Sequence, residues 1–278
     1  MILIATIAGL MSALFWGLGD YYAARTSKNH NEYFATFIIQ TIGLLPILPF
    51  IFVYGLNVDT PISLLIAGLS ALFFTTAYIS YLKAFSVGNV GIVAPVANSY
   101  AIVTLLIGIT FLGAQLTSAQ IGFVVIIVAG IITVSMKKNA ESVPLYKNKS
   151  LLWALLTAVL WGVAFVFVDI IIDSYRWFEL FFLTFFGVIL FSGIFAMIKR
   201  KKEKIIKQTK TLFITKANKF APWMAGLLLG GGSIAFYLGI ESTGSVVIPV
   251  VIASTSPLVT SIAARFVDKE KLTVIQRF

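Results

Sequence analysis

The chain reads as an all-α polytopic membrane protein, an inverted repeat of two five-helix units with the tenth helix missing, so nine spans. Three observations carry that reading. Of its 278 residues 59% are apolar and 12% charged, and the mean hydropathy is +0.97, a balance outside that of soluble domains. The apolar residues also gather into stretches long enough for a bilayer core roughly 30 Å thick, which takes about 20 residues at about 1.5 Å each. Finally, the stretches repeat. Tyr81-Leu82 with Ser86, Gly88, Ile92 and Ala97 recurs 156 residues later as Tyr237-Leu238 with Ser242, Gly244, Ile248 and Ala253. A duplicated unit with an odd number of spans crosses the membrane the opposite way the second time, which is how inverted-repeat transporters are built.

The spans follow in order. The first, near 3–24, is followed rather than preceded by its basic residues, Arg25 and Lys28, unlike a secretory signal peptide. The second, third and fourth lie near 33–54, 62–85 and 91–113. Leu116-Thr117-x-x-Gln120 opens the fifth, 118–136. A linker of mixed charge, 137–150, contains Pro144 and is expected on the cytosolic side. The sixth and seventh spans are near 151–172 and 178–198, and a strongly basic loop runs from Lys199 to Lys219. The eighth, 222–241, holds Gly226 and Gly230, a G-x-x-x-G spacing that lets helices approach closely. The ninth lies near 246–266. Leu272-Thr273-x-x-Gln276 then repeats the opening of the fifth span, and the sequence stops at Phe278. The units are thus 1–136 and 151–278, the second truncated before its fifth helix.

Charge sets the expected orientation. With the amino terminus outside, 20 of the 21 Lys and Arg residues fall on the cytosolic side, and only Arg176 does not. The positive-inside rule therefore predicts a multi-pass protein of the cell (inner) membrane with its carboxyl terminus in the cytosol. The net charge of +10 is accounted for by that asymmetry, and no nucleic-acid partner is expected. Cysteine is absent and His30 is the single histidine. That excludes disulfides and thiolate chemistry, and no metal or other cofactor is expected. The chain holds no H-E-x-x-H, no G-x-S-x-G and no P-loop, so no enzymatic activity is expected either.

Prolines inside spans mark where a helix opens. Pro95, Pro249 and Pro257 each remove a backbone hydrogen bond, and in a bilayer such breaks persist where protein or a wet cavity satisfies the freed groups. Asn98 and Ser99 follow the first, and Ser254 and Thr255 correspond to them at the 156-residue offset. Small polar residues also join helices by hydrogen bonds, but a polar step repeated near mid-span points to a cavity. Trp16 and Trp161 occupy equivalent places in the first helix of each half, within Ser12–Gly17 and Thr157–Gly162, at an offset of 145. Asp20 lies one turn beyond Trp16 on the same face. Lys83 is at similar depth, so the two are candidates for an ion pair. Asp20 and Glu241 are the candidates to carry a proton, since ionisable residues within spans are costly and functional by default. Tyr81 and Tyr237 complete the cavity-lining set of Trp16, Asp20, Tyr81, Pro95, Asn98, Ser99, Trp161, Tyr237, Glu241, Ser254 and Thr255.

The chain resembles the drug/metabolite transporter superfamily in its EamA-type branch, over essentially its whole length. The resemblance rests on the Trp-Gly of each first helix, Tyr-Leu-x-Ala-Phe-Ser-Val-Gly at 81–88, Ala94-Pro95 with polar residues after it, and the Leu-Thr-x-x-Gln openings. It implies an integral transporter of a small metabolite (amino acid, sugar or drug-like compound), with export favoured, working by alternating access as a monomer or homodimer in contact with lipid. Proton coupling is compatible with it. The rival expectation is a lipid flippase or a membrane assembly subunit, which a groove open to the bilayer between the first and ninth spans would favour.

Overall fold

Helix starts are written plainly into the sequence. Asn31, Asn89 and Asn148 each turn a side-chain oxygen back onto a backbone N–H of the following turn, at 3.0, 2.9 and 3.4 Å. Thr60 and Ser63 close a capping box around Pro61. These partners satisfy donors that a helix leaves open at its first turn. In the computed structural model, residues 2–28, 30–57, 60–112, 122, 148–199, 220–243 and 247–267 are described. Among them every regular element is a helix.

In the first half these are α1 (Ile2–Ser27), α2 (Glu32–Leu44), α3 (Leu48–Tyr54), α4 (Pro61–Val87), α5 (Val90–Ala97) and α6 (Tyr100–Leu112). The second half contributes α7 (Lys149–Ile170), α8 (Trp177–Ile198), α9 (Ala221–Thr243), α10 (Val247–Ala253) and α11 (Ser256–Val267). Three pairs act as single spans: α2 with α3, α5 with α6, and α10 with α11. Eight spans of membrane-crossing length and composition result among the described residues. The expected fifth span, 118–136, lies outside them apart from Gly122, as do most of 137–150 and the basic segment 200–219. One bend was not anticipated. Pro46 starts a short 3-10 turn, Leu45–Ile47, and Pro49 starts α3, so the second span bends where two prolines interrupt its hydrogen bonding.

The halves are interlocked rather than set side by side. α1 packs mainly on α9, α10 and α11, and α7 packs mainly on α4, α5 and α6, so each first helix lies against the other half. Equivalent residues make the two joints. Thr260 Oγ1 donates to the Gly17 carbonyl at 3.0 Å, and Thr104 Oγ1 donates to the Gly162 carbonyl at 3.2 Å. A Cβ added at Gly17 would meet Val259 and the Ser256 carbonyl; one added at Gly162 would meet Val103 and the Tyr100 carbonyl. The G-x-x-x-G pair also serves packing. Gly226 sits against Ile39 and Ile42, and Gly230 against the Gly43 backbone, which draws α9 onto α2.

At the end of the bundle opposite the α1–α2 turn, Glu179 is 2% exposed and fully engaged. It accepts from the Asn57 N–H at 2.9 Å, the Arg176 N–H at 2.8 Å and the Arg176 guanidinium at 2.6 Å. The loop after α3 is thereby pinned to the start of α8. Beside it, the Tyr175 and Ser63 hydroxyls lie 2.9 Å apart and share a hydrogen bond.

Gly17→Val and Gly162→Val should each lower stability by about 1–3 kcal/mol, because helix backbone stands in the space a side chain needs. Gly68→Ala, at an open position, should be neutral or gain up to about 1 kcal/mol of helix propensity. Thermal unfolding of the purified variants in detergent measures the three; equal melting for all would show that the glycine joints do not hold the halves together.

Candidate functional site

Each half breaks a helix at the same place. Asn98-Ser99 separate α5 from α6 and Ser254-Thr255 separate α10 from α11. The backbone bonds across the breaks correspond one for one. Asn98 N and Ser254 N donate to Ala94 and Val250, Ser99 N and Thr255 N to Val96 and Ile252, and Ile102 N and Leu258 N to Ser99 and Thr255. The Ser99 and Thr255 hydroxyls each turn onto their own break, at 2.7 Å from the Val96 and Ile252 carbonyls. The two breaks are joined directly: Ser256 Oγ donates to Asn98 Oδ1 at 3.1 Å, while Asn98 Nδ2 donates to the Ala94 carbonyl at 3.0 Å.

Beside this junction, at the centre of the bundle, lies a cavity of about 50 Å³. Its rings form a continuous wall. Trp161 meets Tyr78 and Tyr100 with centroids 5.3 and 5.7 Å apart; Tyr100 meets Phe165 at 4.9 Å, Phe165 meets Phe236 at 5.3 Å, and Phe236 meets Trp16 at 4.9 Å. Polar atoms interrupt the wall at a few points. Trp16 Nε1 donates to Ser233 Oγ at 3.1 Å, and the Tyr237 and Thr184 hydroxyls share a hydrogen bond of 2.9 Å. Asp20, 4% exposed, accepts from the Tyr81 hydroxyl at 2.9 Å and has the Asn98 amide beside it. Gln40 Nε2 and the Tyr100 hydroxyl are buried and make no hydrogen bond of good geometry. A volume of about 50 Å³ admits a few water molecules, far less than the roughly 300–1,000 Å³ of pockets that hold small ligands. The space is therefore narrower than a small-ligand pocket.

The expected site residues divide clearly. Trp16, Asp20, Asn98, Trp161 and Tyr237 line the cavity. Tyr81 stands behind it, fully buried, and holds Asp20. Pro95 and Ser99 shape the break without lining the space. Ser254 bonds its own turn at Val251, Thr255 is exposed, and the position that reaches Asn98 is Ser256, next in sequence. Glu241 is exposed at the end of α9, away from the cavity, because the helix there has run past the packed centre. The expected Asp20–Lys83 pair does not form. Lys83 Nζ lies 3.4 Å from Glu32, at a half-exposed edge where the ammonium stays partly hydrated, whereas meeting Asp20 would bury it.

Gln40, Thr184 and Ser233 line the cavity and were missed from sequence. Gln40 had a usable signal, an uncharged amide in the middle of an apolar span. Thr184 and Ser233 had none, since an isolated hydroxyl in a span can bond its own helix.

Asn98→Leu should cost about 1–3 kcal/mol of stability, because it strips the buried Ser256 hydroxyl of its acceptor. Ser99→Ala should cost under about 1.5 kcal/mol, since that hydroxyl serves only its own turn. Melting temperatures test the contrast; equal effects would remove the Asn98–Ser256 junction from the account.

The geometry agrees with what this chain is similar to. A solved crystal structure of another protein superposes with a TM-score of 0.70 at 16% identity, covering 98% of this chain and 91% of that one, a likeness of fold. The uncharacterized protein MJ1333.1 of Methanocaldococcus jannaschii is 28% identical over 133 residues, covering 48% of this chain and 96% of the relative, which is thus on the scale of one half. The sequence model of the EamA-like transporter family matches twice, over residues 3–136 and 148–278. Two family matches in tandem cover nearly the whole sequence, and the chain belongs to the EamA-like transporter family, membrane transporters of the drug/metabolite transporter superfamily.

Proposed function

We propose that the protein exports a small metabolite (an amino acid, sugar or drug-like compound) by alternating access, with the central cavity as its binding site. The observation that carries this reading is the placement of the cavity beside the junction of two equivalent helix breaks, walled by rings from both halves. Halves that pivot about the Gly17 and Gly162 joints would open the narrow space toward one side and then the other. Residues 1–136 and 151–278 are the two moving units and 137–150 is the cytosolic linker. The amino terminus faces outward and the carboxyl terminus inward, with the membrane the cell (inner) one, as the lysine and arginine asymmetry favours. Of the two candidate carboxylates, burial against the cavity favours Asp20 as the carrier of a coupling proton over the exposed Glu241. The flippase reading needs a groove between α1 and the α10–α11 span. That seam is packed tightly around Gly9 and Gly17, which favours a solute over a lipid.

The absence of native cysteine makes a direct test available. A single Ser233→Cys should react with a membrane-impermeant thiol reagent both in intact cells and in inverted vesicles. Reaction from one side only, or from neither, would overturn alternating access through this cavity. Asn57→Cys should react in intact cells and not in sealed inverted vesicles; the reverse would invert the proposed orientation. Once a substrate is in hand, its transport by the unaltered protein should depend on a pH gradient, and transport that is indifferent to the gradient would remove the proton from the mechanism.

A further inference from the structure

Taking the cavity as the substrate site, as proposed above, its lining restricts the charge of what enters. Of the described residues that line it, Asp20 alone is an Asp, Glu, Lys, Arg or His. A buried carboxylate requires compensation, and the groups that meet Asp20 are neutral, a phenol and an amide. Lys83, the cation expected to serve it, is taken by Glu32. Around the carboxylate the wall is aromatic, with Trp16, Tyr78, Tyr100, Trp161, Phe165 and Phe236 in mutual contact. Ring faces attract a cation, most strongly when water is excluded. An anionic solute would meet Asp20 with no compensating positive side chain among the described lining residues.

The asymmetry of the repeat sharpens the point. Applying the 145-residue offset that relates Trp16 to Trp161, the position equivalent to Asp20 is Phe165. One half contributes a charge and the other a ring that stacks on Tyr100, so the polar head has one place to go. Two further atoms then need a partner. Gln40 Nε2, beside the Tyr78 hydroxyl, makes no hydrogen bond of good geometry, and neither does the Tyr100 hydroxyl; Gln40 and Tyr100 are 1% and 2% exposed. Leaving such groups unsatisfied is costly, and both line the cavity. A solute with an uncharged oxygen can meet them.

We infer that the substrate is a small organic monocation, its ammonium head held by Asp20 and the aromatic wall and an uncharged acceptor oxygen held by Gln40 Nε2 and the Tyr100 hydroxyl.

The test is binding to the purified full chain, read as a saturable rise in melting temperature. The probes are matched in shape and differ in charge: choline, its neutral isostere 3,3-dimethylbutan-1-ol and the anion 3,3-dimethylbutanoate; and tyramine with the corresponding neutral alcohol and carboxylate. Tetramethylammonium supplies a cation without an acceptor. At least one cation should stabilise the protein, with its neutral and anionic counterparts at least tenfold weaker. Asp20→Asn should abolish the cation's effect. Gln40→Leu should weaken the hydroxylated cation about 2- to 13-fold, and leave tetramethylammonium unchanged. If Asp20→Asn does not fold, competition between a cation and its neutral isostere on the unaltered protein decides the question. Equal or better binding of a neutral or anionic probe, or a cation effect that survives in a folded Asp20→Asn, would overturn the cation assignment while keeping the cavity as a binding site. No shift from any probe would overturn the cation assignment; the Ser233→Cys labelling then shows separately whether the cavity is a transport pathway.

Discussion

Two helices open their backbones inside an apolar layer, and the architecture is arranged to make that tolerable. A break in hydrocarbon exposes carbonyls and amides that lipid cannot satisfy. Here each break turns onto itself through a serine or threonine hydroxyl, and lies under the first helix of the opposite half at a glycine. The threonine bonds to the Gly17 and Gly162 carbonyls extend the same solution across the interface. Because both breaks are covered in this way, they come together near the middle, Asn98 meets Ser256, and a space lined from both halves follows. The position of the cavity is thus a consequence of where the backbone had to be protected.

Much of this was legible in the sequence, for identifiable reasons. Span lengths follow from bilayer thickness, and the described spans agree with the expected ones to within a few residues. The breaks were legible because proline advertises a missing donor, and Pro95, Pro249 and Pro257 stand within a few residues of them. The helix starts were open to the same reading at Asn31, Thr60, Asn89 and Asn148. Which side chains face the centre was less accessible. Ser254 and Thr255 correspond to Asn98 and Ser99, yet Ser256 makes the junction, because a one-residue step on a helix turns a side chain by about 100°. Gln40 and Ser233 depend on which helix from the other half lies opposite. That is a property of the interlock, which no local pattern encodes. Lys83 was misassigned because depth along a helix was used without its direction around the axis.

The repeat supplies symmetry of backbone and the side chains then depart from it. Tyr81 and Tyr237 are equivalent, but one donates to Asp20 and the other shares a hydrogen bond with Thr184. Trp16 donates to Ser233, while Trp161 stands among Tyr78, Tyr81 and Tyr100. Two-fold related scaffolding gives the two halves near-equivalent packing, as the alternating mechanism proposed above would require. Unequal side chains give the enclosed space a polarity that a symmetric pair of halves would lack.

The interlock also bears on how the chain is made. α1 is synthesised well before the helix it packs on most extensively, α9, which begins at Ala221. About 220 residues separate the two starts, roughly 10–45 s of synthesis at 5–20 residues per second. Through that interval the face of α1 bearing Gly9 and Gly17 has no permanent neighbour, whereas Asp20 can already meet Tyr81 of α4, and α7 reaches its own partners α4, α5 and α6 at once because they are already in place. Insertion of the first helix and its final docking are therefore separate events: its carboxylate finds a partner within the first half, and its glycine face waits for the second.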